Sequence, residues 1–166
     1  MDTNNTHVEE VIVAIDSELE FQIPSDQEGL LLWLKDCFNL PKAAVSPEVI
    51  KSFGGLREIV RSGIFVVAAL HQPRHEKDLF TEDKERCRRR ILRLSEVLSI
   101  LSSDFVDSLS TIRFWSKDKE GKVWLMGIRS EHDGVYIFQE EPKNRLLRIG
   151  TKWVKRRKPS SKTQTH

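Results

Sequence analysis

The residues with the strongest chemical character stand together near the end of the chain. Trp153-Val154-Lys155-Arg156-Arg157-Lys158-Pro159 sets four consecutive cations beside an indole, and Arg145, Arg148 and Lys152 extend the basic character upstream. Lys and Arg neutralise phosphates, the sequence-independent part of nucleic-acid affinity. An indole stacks on an unpaired base. Arg145, Arg148, Lys152, Trp153, Lys155, Arg156, Arg157 and Lys158 are therefore the expected contacts to nucleic acid or another polyanion. The plainer alternative is a solvated charged tail, or one that folds back on the acidic N-terminal segment. The same four cations also suit a nuclear-import signal.

The charge is unevenly distributed. Residues 1–36 contain nine acidic residues and one base, while residues 142–166 contain nine bases and no acid, although the net charge is only +2. A second basic stripe, Arg86, Arg89, Arg90 and Arg93, recurs at helical spacing. Glu82 and Glu85 stand four residues before Arg86 and Arg89, so helix-supporting ion pairs account for much of that stripe.

Catalytic and metal signals are thin. His71 and His75 have the spacing of half a zinc-finger pair, but a full site needs a second pair. Cys37 and Cys87 fall in apolar helical patterns and read as buried thiols. Asp133, Glu141 and Lys143 have the residue types of a metal-dependent nuclease, but turn chemistry explains all three. No phosphate-cradling glycine loop or nucleophile elbow is present. No catalytic residue, metal or cofactor is assigned, and an enzyme is not the expected class.

Several elements must position these residues. Val8–Ile15 and Leu19–Ile23 read as strands around Asp16-Ser17, an N-terminal β-hairpin. Ser25-Asp26-Gln27-Glu28 matches a capping box for a helix reaching about Asn39. Ser46-Pro47 starts a second helix, with Val49, Phe53, Leu56 and Val60 on one face and a Gly54-Gly55 interruption. Ile64–Leu70 is continuous and β-branched, the pattern of a buried strand. Ile91, Leu94, Leu98, Leu101 and Phe105 recur every three or four residues and predict one long helix over Glu82–Leu109, capped by Thr81. Three or four strands in a meander follow from Ile112 to Val154. Trp33 and Trp124 sit inside apolar patterns, whereas Trp115 and Trp153 lie near strand ends and are the surface candidates.

The expected fold is α+β. An antiparallel sheet, made of the C-terminal meander and the N-terminal hairpin, packs against the long helix and two shorter ones. A chain of 166 residues buries roughly 70% of its unfolded surface without staples. One folded unit is expected over residues 8–155, with frayed residues 1–7 and a disordered basic and polar tail at 156–166. No apolar window is long enough to span a membrane, the N-terminal residues lack signal-peptide character, and two cysteines do not make a disulfide framework. An intracellular protein, cytoplasmic or nuclear, is the expectation. The functional expectation is a nucleic-acid- or polyanion-binding protein. The alternative is a protein-interaction adaptor or regulator, or a homo-oligomer, that uses the helix stripe of residues 87–105 while the basic tail localises it.

Overall fold

The computed structural model describes residues 10–76, 91–101, 111–131, 134–141, 143 and 145–157. The strands are β1 (Glu10–Ile15), β2 (Leu19–Gln22), β3 (Ala43–Val45), β4 (Arg57–Val60), β5 (Gly63–Ala69), β6 (Arg74–His75), β7 (Thr111–Lys117), β8 (Val123–Glu131), β9 (Gly134–Glu140), β10 (Leu146–Leu147) and β11 (Lys152–Arg156). Among the described residues the helices are α1 (Gln27–Phe38), α2 (Pro47–Phe53) and α3 (Leu94–Ile100). Seven strands form one mixed sheet in the order β1-β5-β11-β7-β8-β9-β3, and β10-β6 and β2-β4 form two-stranded ribbons. The class is therefore mixed α/β around a sheet, with parallel β3–β9 and β11–β7 pairs that an antiparallel-only sheet lacks.

The sheet separates two clusters. Its inner face carries Phe65, Val67, Ile112, Phe114, Met126, Ile128, Val135, Ile137 and Val154, packed with Leu30 and Leu34 of α1, Val49 and Phe53 of α2, and Leu94, Val97 and Leu98 of α3. The outer face bears a smaller cluster of Leu70, Trp115, Leu125 and Leu147, joined by Ile91, Val123 and Trp153.

The first two helices form where local signals place them. The αL conformation of Asn39 closes α1. At its start the side chain that accepts from Gly29 N, at 2.8 Å, belongs to Asp26 rather than Ser25. Helix α2 begins at Pro47 as expected and ends at Gly54, so Leu56 leads into a strand instead of a second helical turn. The meander β7–β8–β9 is also as expected, with adjacent antiparallel pairs.

Three expectations are corrected. The N-terminal hairpin does not form. Strand β1 pairs with β5 and β2 pairs with β4, because Val13 and Ile15 are drawn to the main core while Phe21 packs on Trp33 and Phe38. The long helix is also absent from the described part of its range. Ile91 bridges Trp115 in an extended conformation, Leu92 N donates to Trp115 O, and Arg93 and Leu101 are both extended. Ile91 therefore belongs to the outer cluster and Leu94 to the inner one, although helical spacing puts them on one face. Residues 82–90 and 102–109, with the Thr81 cap, lie outside the described residues. Finally, the stretch 146–154 is not a fourth meander strand. It divides into β10 and β11, and β11 crosses back to lie between β5 and β7.

The β7–β8 turn shows how one side chain fixes a connection. Asp118, buried, accepts from Glu120 N at 2.8 Å, Lys122 N at 2.9 Å and Trp124 Nε1 at 2.9 Å. Desolvation pushes its carboxyl up, but these donors and the Lys122 charge outweigh it, so its pKa lies below the ordinary aspartate value. Lys119 Nζ donates to Gly54 O and ties the turn to the end of α2. A depressed carboxylate pKa stabilises the fold at neutral pH and loses that contribution as pH falls through the folded-state value. Asp118→Asn is expected to cost about 1–2 kcal/mol at neutral pH. The gap to the unsubstituted protein should close on acidification, as read by denaturant titrations at several pH values.

Candidate nucleic-acid interface

Strand β11 carries most of the expected contacts, and its position decides what each can do. It pairs antiparallel with β5 along its whole length and parallel with β7 at Lys152 and Trp153. Alternate side chains leave by opposite faces. Val154 and Arg156 turn inward: Val154 is in the main core, and Arg156 stacks over the Phe65 ring, 4.7 Å from its centroid. Trp153 and Lys155 turn outward. The four-cation run is thus divided by the strand itself.

Arg156 is an internal counter-ion. It pairs with Glu96, which is 1% exposed. The other Glu96 oxygen accepts from Arg93 N at 2.8 Å, so the third residue of α3 reaches back to the backbone of the residue before the helix. Glu58, reaching over from β4, accepts from Ser95 N at 2.8 Å at the same helix start. Burial raises the Glu58 pKa, and its contacts with Ser95 and Leu94 only partly oppose the rise.

Arg145 is also engaged. Its guanidinium meets Glu140 at 2.5 Å and Glu76 at 3.2 Å, and Glu140 also pairs with Arg113 at 2.5 Å. Glu76 accepts from Lys143 N at 2.8 Å. Burial raises the Glu76 pKa despite that bond and the Arg145 charge. At Glu140 desolvation is overcome by the two arginines, and the pKa falls. This network fastens the β6–β10 ribbon to the outer face of the sheet.

The remaining expected contacts are placed as follows. Trp153 is half-buried against the outer cluster and does not stand in water beside the cations. Lys152 and Lys155 are half-buried, and Arg148 and Arg157 are exposed. Lys158 lies outside the described residues, as do Arg86, Arg89 and Arg90. Arg93 is exposed, but it is the extended residue before α3 and not part of a long helical stripe. Arg156, expected in a disordered tail, is a strand residue.

Among the described residues of the helix stripe, Leu94 and Leu98 are buried and Leu101 packs against the same core; residues 87–90 and 102–105 lie outside the described residues. Trp115, expected at the surface, is buried. Cys37, expected inside, is exposed, and Cys87 lies outside the described residues. Asp133 is likewise outside them, while Glu141 pairs with Lys122 at 2.6 Å. His71 and His75 are exposed, and no cluster with metal-ligand character occurs among the described residues.

The structure adds residues that the sequence did not single out. Tyr136 and Phe138 lie side by side on the outer face of β9, with centroids 5.5 Å apart and planes 18° apart. Arg129 sits 5.2 Å from the Tyr136 centroid and 5.6 Å from that of Phe138, and Arg113 sits 5.2 Å from Phe138. The available signal was alternation: Tyr136 and Phe138 are two apart in a half-buried strand, opposite Arg129 and Gly127. Comparison with known protein families, with curated proteins and with solved structures gave no match.

Arg156→Ala would leave Glu96 buried without its cation. Losing one partner of a buried pair costs several kcal/mol, and the Arg156 side chain is itself 30% exposed. A destabilisation of roughly 2–4 kcal/mol is expected, with Arg157→Ala within about 0.5 kcal/mol of the unsubstituted protein as a surface change. Equilibrium unfolding of the two variants checks this, and equal stabilities would mean that the Glu96 pair does not hold α3 to β11.

Proposed function

We propose that this chain is a nucleic-acid- or polyanion-binding protein, and not an enzyme, whose contacts lie at the basic C-terminal end. The observation that carries the reading is the exposure of Arg148 and Arg157 within a segment of nine bases and no acid. Arg148 precedes β11 and Arg157 follows it, so they flank a strand of five residues, about 16 Å long. Lys152, Trp153, Lys155 and Lys158 complete the proposed contact set. Arg145 and Arg156 hold the fold and supply positive potential without being free to grip a phosphate. The basic run also suits nuclear import.

A protein-interaction adaptor is the second reading, now resting on a different surface. Strand β1 is an edge of the main sheet, and Val11, Ile12 and the neighbouring Ile64 are 43%, 57% and 43% exposed. An apolar edge strand is a template for added strands.

Binding of single- and double-stranded oligonucleotides across a salt series tests the first reading. A slope near −0.7 to −0.9 per neutralised phosphate is expected in the plot of log affinity against log salt. Combined Arg148→Ala, Arg157→Ala and Lys158→Ala substitutions should shrink it. Weak, salt-insensitive binding that these substitutions leave unchanged would overturn the reading. For the second reading, light scattering with size-exclusion chromatography should show a concentration-dependent increase in mass, or capture of a partner, that Ile12→Lys abolishes.

A further inference from the structure

On the assumption that the chain binds nucleic acid, we infer that the outer face of the sheet at Tyr136 and Phe138 is a stacking platform for unpaired bases. Single-stranded nucleic acid is then the ligand class.

The geometry starts at Gly127. Phe138 is its register partner across β8 and β9. A Cβ at Gly127 would lie 2.3 Å from Phe138 Cζ and 2.8 Å from both Cε1 and Cε2. The two flanking carbons are equally distant and only slightly farther than the tip. An approach within the ring plane would hold them well beyond the tip, so the Cβ direction meets the ring face-on. Side chains leave a sheet roughly perpendicular to it, so the Phe138 ring lies flat on the sheet, over the place where any other residue would carry a Cβ. Tyr136, within 18° of it, lies flat as well. Both rings are half-buried; Phe138 has one π-face toward the sheet at Gly127, and Tyr136 is stacked with it, the centroids 5.5 Å apart.

The surroundings suit nucleotides better than an apolar partner. The registers align Trp153, Arg113, Gly127 and Phe138 in one row across four strands. Arg129, about half exposed and paired with Glu131 at 2.9 Å, lies beside both rings. Lys117 and Arg157 leave by the same face but four residues along their strands from the Phe138 row, beyond Trp115 and Leu125. Aromatic rings with an adjoining guanidinium accept bases by stacking, and the more distant cations can meet the phosphates of the same strand. A duplex keeps its base faces inside its own stack, so unpaired strands are the ones that fit.

The probes are oligothymidine, an abasic strand of the same length and charge, and the corresponding duplex, all measured by anisotropy against the full chain. Oligothymidine should bind about tenfold or more tightly than the abasic strand. Phe138→Leu and Tyr136→Leu should each bring that ratio toward one. Gly127→Ala should do the same while keeping both rings, because its methyl group lifts Phe138 off the sheet. Thermal melts identify any variant that fails to fold, and the three independent substitutions keep the test decisive. Tyr136 is the sole tyrosine, so photo-crosslinking of a bromouridine strand should map to its peptide. Equal affinity of the intact protein for oligothymidine and the abasic strand would overturn the platform while leaving phosphate binding intact. Absence of salt-dependent binding to every probe would overturn the binding function as well.

Discussion

A carboxylate inside the protein sets the arrangement of the rest. Glu96 is almost wholly buried, and an ionised group there is costly unless charge and hydrogen bonds compensate it. One oxygen holds the first backbone N–H of a helix start, and the other demands a cation. Arg156 meets that demand from an interior strand, across from Phe65. A shift of β11 by one residue would send Arg156 outward and Lys155 inward. Helix position and strand register are thus fixed by a single side chain.

That constraint explains why the basic segment cannot be treated as one uniform patch. Arg156 and Arg145 are occupied with buried or half-buried acids, whereas Arg148 and Arg157 face solvent. Arg145 and Arg113 converge on Glu140 and hold the β6–β10 ribbon over one part of the outer face. The ribbon and Trp115 make that part a small dry core. The Tyr136–Phe138 region carries rings and guanidiniums instead. The inner face, by contrast, packs on the three helices over most of its described width. The outer face is thus divided between a packed cluster and a region of rings and guanidiniums.

Much of the local structure was legible in the sequence. The strand at Ile64–Leu70, the meander after Ile112 and the first two helices all declare themselves through period, caps and turn residues. What was illegible depends on distant pairing. Nothing near Lys152–Arg156 indicates a parallel neighbour, since parallel partners lack a connecting turn. The spacing of Ile91, Leu94 and Leu98 is as good a helical pattern as the chain contains, yet Ile91 belongs to an extended segment bonded to Trp115. The same apolar spacing serves a helix and a strand-to-helix junction on opposite sides of a sheet. The aromatic pair went unnoticed because Tyr136 and Phe138 gain meaning only from Gly127 and Arg129 on the next strand.

The interior place of β11, a strand from near the end of the described residues, has a consequence for how the protein is made. Before residues 152–156 leave the ribosome, β5 and the first residues of β7 lack the strand that lies between them, and Glu96 lacks its cation. Exposed strand edges are prone to pairing with the wrong strand, and β11 covers that of β5 and the first part of that of β7. The same strand brings Arg156 to Glu96, so pairing and charge compensation arrive on one segment.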